Sequence, residues 1–118
     1  MVKLESLKKS YQFKQTLKEK KVHSEFFSIF AAKNFYKPKN KGDLIVSFVM
    51  KKKIGNAVKR NKIRRKLKAI VQKLLKKRGA ISKDYTYIVF GKSNAYMQKQ
   101  SVLTPIMEKC FNRIKSND

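Results

Sequence analysis

The sequence predicts an α+β fold, a small mixed sheet packed by helices. Three observations predict it. Aromatic and β-branched runs at 25–32, 43–51 and 84–90 read as strands. Apolar stripes with helical spacing lie at 57–78 and from Ser101 onward. Glycine or proline punctuates the changes from one kind of segment to the other. With 118 residues, 42% of them apolar, eight Phe and five Tyr, the chain is long enough for a real core and too apolar for disorder. One domain over residues 1–118 is the expectation.

Each element has its own signal. Ser10 is suited to cap a first helix running to about Lys20, with Phe13 and Leu17 four residues apart on one side. EFFSIFAA, residues 25–32, is the first strand, and alternation puts Phe26, Ser28 and Phe30 on one face and Phe27 and Ile29 on the other. KNFYKPKNKGD, with Pro38 and Gly42, reads as a hairpin loop leading into a second strand, DLIVSFVMK, from Asp43. Gly55-Asn56 ends that strand, and Asn56 caps a long helix over 57–78 whose apolar stripe is Ile63, Leu67, Ile70, Val71 and Leu74. Gly79 stops it, and Lys76, Lys77 and Arg78 suit the negative end of its dipole. DYTYIVF is a strand ending at Gly91. The last helix carries Leu103, Ile106, Met107, Cys110, Phe111 and Ile114 on one stripe, with Pro105 in its first turns. Phe27, Ile29, Phe48, Met50, Ile88 and Phe111 are core residues in this reading.

Charge narrows the function. Lys and Arg number 31 against seven Asp and Glu, a net charge of +24. A compact chain repels itself at that charge, so a polyanionic partner is expected, nucleic acid ahead of an anionic membrane surface. Leu44 to Lys83 holds fifteen Lys or Arg and no acid, so the usual i to i+4 ion pairs cannot form along the long helix. At about 100° per residue, Asn61, Arg65, Lys68 and Gln72 line up opposite the apolar stripe. Lys62, Lys66 and Lys73 lie on one flank, and Arg64 towards the other. A merely solvated helix is the plain alternative, but a phosphate-binding ridge accounts better for the pattern. Arginine grips phosphate with a planar fork, lysine adds point charge, and Asn61 can bond a phosphate, a 2′-hydroxyl or a base edge.

Other chemistry is excluded. Glu5, Glu19, Glu25, Asp43, Asp84, Glu108 and Asp118 are scattered, which does not suit a two-metal nuclease. His23 is the only histidine and Cys110 the only cysteine, so there is no His pair, no His/Cys zinc site and no intramolecular disulfide. The lone thiol fits a reducing cytoplasm, and neither a signal peptide nor an apolar run of about 18 residues is present. The four glycines are too far apart for a nucleotide-binding loop.

GNAVKRN followed by KIRRKLK resembles the signature of the bacterial ribonuclease P protein subunit, a GNAVxRN run opening a basic helix with an Arg-Asn-Arg core. LKKSYQFKQTL is similar to that family's N-terminal helix, FFSIFAAK to its first strand, VSFVMKKKIGNAV to the strand entering the motif, and KDYTYIVF to the strand after the helix. The resemblance implies a ribosomal-S5-domain-2-like αβββαβα fold with a left-handed crossover around the basic helix. It implies a subunit of a ribonucleoprotein whose RNA is the catalyst. That complex requires Mg2+ and hydrolyses one phosphodiester of precursor tRNA to release the 5′ leader. The implied partners are the catalytic RNA and precursor tRNA, with no obligate protein partner and no membrane. By position, Lys53, Asn56, Arg60, Asn61, Lys62, Arg64, Arg65 and Lys68 inherit the RNA-facing role.

Phe13, Leu17, Ser28 and Phe30 fall at the family's leader-binding positions, where bases stack on rings beside a positive groove. For Phe13 and Leu17 the plain alternative is packing of the first helix on the sheet. Tyr87 is read with this cleft, as a phenol able to stack or hydrogen-bond, with core packing as its alternative. The chain departs from the family pattern in three places. Lys62 and Lys68 stand where arginine is common and lose the bidentate fork. Phe90 and Gly91 stand where a strand-ending arginine is usual, with Lys92 the nearest substitute. A structural ribosomal protein or RNA chaperone is the rival reading, separated only by the GNAVKRN run and the aromatic cleft. A membrane-surface protein and a DNA-binding regulator fit less well, since the stripe suits burial on the sheet and no helix-turn-helix is apparent.

Overall fold

A computed structural model describes residues 4–33 and 43–116. Within them run β1 (Leu4–Glu5), α1 (Ser10–Thr16), β2 (Lys20–His23), β3 (Phe27–Lys33), β4 (Leu44–Val49), α2 (Ala57–Leu75), β5 (Tyr85–Gly91) and α3 (Gln100–Ser116). The fold is α+β, with one mixed sheet in the order β1-β4-β5-β3-β2. β4 lies parallel to both β1 and β5, whereas β3 is antiparallel to β5 and β2. Parallel neighbours need a return crossing, and α2 makes it between β4 and β5.

The two faces of the sheet differ. Phe27, Ile29 and Ala31 of β3, Tyr85, Tyr87 and Val89 of β5, and Leu44 and Val46 of β4 meet the stripes of α2 and α3 in one core. That core includes Ile63, Leu67 and Ile70 of α2 and Leu103, Met107, Cys110 and Phe111 of α3. The helices approach closely at one point. A methyl group at Gly91 would lie 2.4 Å from Met50 Sδ and 2.9 Å from Ile63 Cγ2, so α2 rests almost on the backbone at the end of β5. The opposite face carries a smaller cluster of Leu7, Ile45 and Ile88, with Phe13, Phe30, Val49 and Phe90 only partly buried against it. This thinly covered face is where a cleft can open.

Several boundaries differ from the sequence reading. α1 is capped by Gln12, not Ser10: the Gln12 Oε1 accepts from the backbone N–H of both Lys8 and Lys9 at 3.2 Å. It ends at Thr16, and Lys20–His23 instead forms β2, paired from Lys20↔Ala31 to His23↔Ser28. Phe26 does not share a face with Ser28 and Phe30. The Ser24 hydroxyl accepts from the Phe26 and Phe27 N–H groups, closing a turn that breaks the alternation and sends Phe26 into the helix-side core. β4 stops at Val49, and a 3-10 turn over Lys52–Ile54 precedes Gly55. α2 ends at Leu75, leaving Lys76–Arg78 just beyond it. Of the expected hairpin loop, residues 34–42 lie outside the described residues.

Candidate nucleic-acid interface

The basic helix begins as its residues require. Gly55 has φ +153°, a conformation side chains rarely adopt, and Asn56 follows as N-cap with its Oδ1 accepting the Lys59 N–H at 3.0 Å. No acidic residue occupies the first turn of α2. Its positive dipole end is therefore surrounded by like charge, which an incoming anion offsets. Asn61, Lys62, Arg65, Lys68 and Gln72 are exposed, as their phase predicts. Arg64 donates from Nη1 to Asn61 Oδ1 at 2.8 Å, which fixes the guanidinium along the ridge. Arg60 is half-buried, and its Nε is without a hydrogen-bond partner among the described residues.

Three lysines of α2 have partners that a count of carboxylates cannot reveal. Lys66 donates from Nζ to the carbonyls of Ala95, Tyr96 and Gln98 at 3.0, 2.9 and 2.6 Å. Burial, and then the Lys62 ammonium, lower its pKa. Lys59 donates to the Ser93 hydroxyl at 2.9 Å. The ammonium groups of Lys59 and Lys62 lie 5.4 and 4.9 Å from the centre of the Tyr96 ring. The helix is thus stitched to the segment after β5. Beyond its end, Lys77 pairs with Glu108 of α3 at 3.2 Å.

On the thinly covered sheet face lies a cleft of about 690 Å³. Leu17, Ser28, Phe30 and Lys53, all singled out from the sequence, line it. So do His23, Lys51, Phe90 and Lys92, none of which the sequence assigns to the cleft. Phe30 and Phe90 meet edge to face with centroids 5.4 Å apart, and His23 meets Phe30 likewise at 6.1 Å. His23 Nδ1 is 2.7 Å from the buried Ser28 hydroxyl, which holds the imidazole in place. Lys51 Nζ stands 5.7 Å from the Phe90 ring centre. Lys92 Nζ donates to the Ser24 carbonyl at 2.5 Å. Aromatic edges and faces with lysines around them can stack a base and hold its phosphates at once. Pairing brings these groups together: Ser28 lies opposite both His23 and Phe90.

Two expected members are not part of the cleft lining. Phe13 packs half-buried against the cluster of Leu7, Ile45 and Ile88. Tyr87 is on the other side of the sheet, fully buried and edge to face with Phe111 at 5.1 Å. Its hydroxyl donates to the Ser82 carbonyl at 2.6 Å, and burial drives its pKa strongly upward. Strand parity is the reason, since Ile88 and Phe90 are the β5 residues on the cleft face. Cys110 is a buried core residue whose thiol pKa is raised by burial, so it is not a reactive group. Among the described residues no three His, Cys, Asp or Glu side chains gather to hold a metal, and no helix is long and apolar enough to cross a membrane.

An aromatic, lysine-rimmed cleft beside an exposed basic helix, on a small mixed sheet, defines an RNA-binding protein. The ribonuclease P family model matches residues 1–115. The ribonuclease P protein component of Mycoplasma mycoides subsp. mycoides is 30% identical over 109 residues, spanning 92% of this chain and 94% of that one. That of Mycoplasma capricolum is 28% identical over the same shares. Among solved structures, the RNase P protein from Thermotoga maritima superposes with a TM-score of 0.73 at 22% identity, covering 92% of this chain and 96% of that one. The Staphylococcus aureus RNase P protein does so with 0.66 at 25%, covering 93% and 94%. The chain belongs to the ribonuclease P protein family. It is a protein subunit of an RNA-based, tRNA-processing ribonuclease, and its partner is the RNase P RNA.

Proposed function

We propose that the protein docks on the catalytic RNA through the exposed start of α2 and holds the 5′ leader of precursor tRNA in the aromatic cleft. The observation that supports this most is Lys53. It lines the cleft from the turn immediately before α2, so the leader site and the basic ridge adjoin. Asn56, Arg60, Asn61, Lys62, Arg64, Arg65 and Lys68 form the RNA-facing ridge. Leu17, Ser28 and Phe30 grip the leader, with Phe13 supporting them from behind. The bond broken is the phosphodiester between leader and mature tRNA, by hydrolysis that leaves a 5′-phosphate. The RNA carries out that step with Mg2+, while the protein, acting in the cytoplasm without an obligate protein partner, contributes positioning and charge neutralisation.

The test is cleavage of a 5′-extended precursor tRNA by the source organism's RNase P RNA at low Mg2+, with and without the protein. Cleavage at the mature 5′ end only in its presence is expected. Binding without rescue of cleavage would overturn the assignment of a processing role. In the same assay, Arg65→Ala is expected to weaken assembly with the RNA while leaving the preference for precursor over mature tRNA unchanged.

A further inference from the structure

The polar wall of the aromatic cleft is of one kind. Among the described residues its lining holds no carboxylate and no side-chain amide, while His23, Lys51, Lys53 and Lys92 all offer N–H groups. Of these, His23 has its ring fixed. Ser28 is 6% exposed, and its hydroxyl has one hydrogen-bond partner among the described residues, His23 Nδ1 at 2.7 Å. A buried hydroxyl has to donate its proton, and Nδ1 is the acceptor it meets. The proton of the neutral imidazole therefore sits on Nε2. That nitrogen has no partner among the described residues and belongs to an exposed side chain on the cleft wall. Resting on the leader reading above, we infer that His23 is a specificity residue: its Nε2–H donates to a leader base, and the cleft selects a keto base, guanine or uracil, over adenine or cytosine.

Position and chemistry agree. Phe30 and Phe90 form the platform, and the His23 and Phe30 ring centres are 6.1 Å apart, so the edge of a base stacked on Phe30 comes within reach of the imidazole. Lys51 Nζ stands beside the same platform, 5.7 Å from the Phe90 ring centre. Stacking alone is indifferent to the identity of the base, so discrimination falls to the wall. The four bases differ in the exocyclic group on their hydrogen-bonding edge. It is a carbonyl oxygen in guanine and uracil, and an amino group in adenine and cytosine. A carbonyl there accepts from Nε2–H and from the ammonium groups around it. An amino group meets donors only, and loses the bonds it made to water.

The test uses the full chain assembled with the RNase P RNA, and precursor tRNAs that differ at one leader position at a time. At one position guanine and uracil are expected to bind about tenfold more tightly than adenine and cytosine. Exchanging guanine for diaminopurine at that position puts an amino group in place of the oxygen, and is expected to reproduce the loss. His23→Phe keeps a ring without a donor, and is expected to bring the ratio of the two affinities to about one. Ser28→Ala keeps the imidazole but frees its proton to sit on either nitrogen, and is expected to lower the ratio. A loss of packing weakens both leaders alike and leaves the ratio unchanged. A wild-type ratio within about twofold of one at every leader position, a preference for adenine or cytosine, or a ratio that survives in either variant overturns the inference. Mature tRNA is measured alongside. A wild-type complex that prefers the precursor yet shows no base preference sinks this inference alone, whereas no preference for the precursor sinks the leader reading and this inference with it.

Discussion

Phe30 does two things at once. It stacks edge to face with Phe90 and His23, and it stays half-exposed on the cleft floor. Phe30→Ala is expected to reduce the preference for precursor over mature tRNA about tenfold, the loss of one stacking platform, measured as the ratio of the two affinities. An unchanged ratio would remove Phe30 from the leader site. Tyr87 gives the contrast. Tyr87→Phe deletes the bond to the Ser82 carbonyl and is expected to cost about 1 kcal/mol of stability without altering that ratio. Its pH dependence has a definite sign. Burial raises the Tyr87 pKa above the ordinary value near 10, so the folded chain keeps a proton the unfolded chain sheds. The resulting stability is fully present below about pH 10 and is lost as pH rises further. Because Phe does not titrate, the gap between wild type and Tyr87→Phe is expected to hold up to about pH 10 and to narrow as pH rises above it, read by denaturant midpoints. A gap constant across that range would mean the phenol ionises freely in the fold. The sequence could not place Tyr87, since both faces of YTYIVF are apolar and alternation then carries no sign of which face is inward.

The element that organises the molecule is α2, and most of it was legible. Its apolar stripe, its Asn56 cap and its unbroken charge are local features with a fixed period. Asn56→Ala is expected to cost about 1 kcal/mol and Asn56→Gly only a few tenths, checked by thermal denaturation. No loss in either variant would mean the side-chain bond to Lys59 contributes nothing. Gly91 is a second, less obvious requirement. Gly91→Ala sets a methyl against Met50 and Ile63, and overpacking of about 1–3 kcal/mol is expected from denaturant unfolding. Sequence reading failed where elements are short or depend on distant partners. β2 buries only Val22 and falls in the gap the sequence leaves between the first helix and the strand at 25–32, while β1 is two residues long. The cleft was legible only through β3 and α1. Lys51, Phe90 and Lys92 join it because β5 ends beside the start of β3 and β4 ends beside β5, which pairing decides and composition does not. The lysine bonds to the 95–98 segment were hidden for the same reason, as their acceptors are backbone carbonyls.

At the scale of the whole chain, the net charge of +24 sets the terms of stability. Part of it is relieved internally: Lys77 by Glu108, Lys66 by carbonyls, and Lys20 by the Tyr85 hydroxyl and the Ile114 carbonyl at 2.9 Å each. These bonds stitch the helices to each other and to the sheet, but they leave Arg65, Lys68 and the lysines of the 51–53 turn exposed. Compaction therefore concentrates like charge along one side, and a bound polyanion relieves it. Two outcomes follow from the same excess. If the ridge neutralises about six phosphates, log affinity for the RNA falls against log salt with a slope near −5. The free protein behaves oppositely, since salt screens its self-repulsion. Its melting temperature is expected to rise with added salt, and sulfate is expected to raise it beyond chloride at equal ionic strength, because a divalent anion fits the start of α2. Dilute buffer is expected to leave it partly unfolded, seen as helix signal regained on adding sulfate. Circular dichroism and melting temperature unchanged between dilute buffer and sulfate would show that the fold carries its charge without an anion, and would confine the role of α2 to recognition.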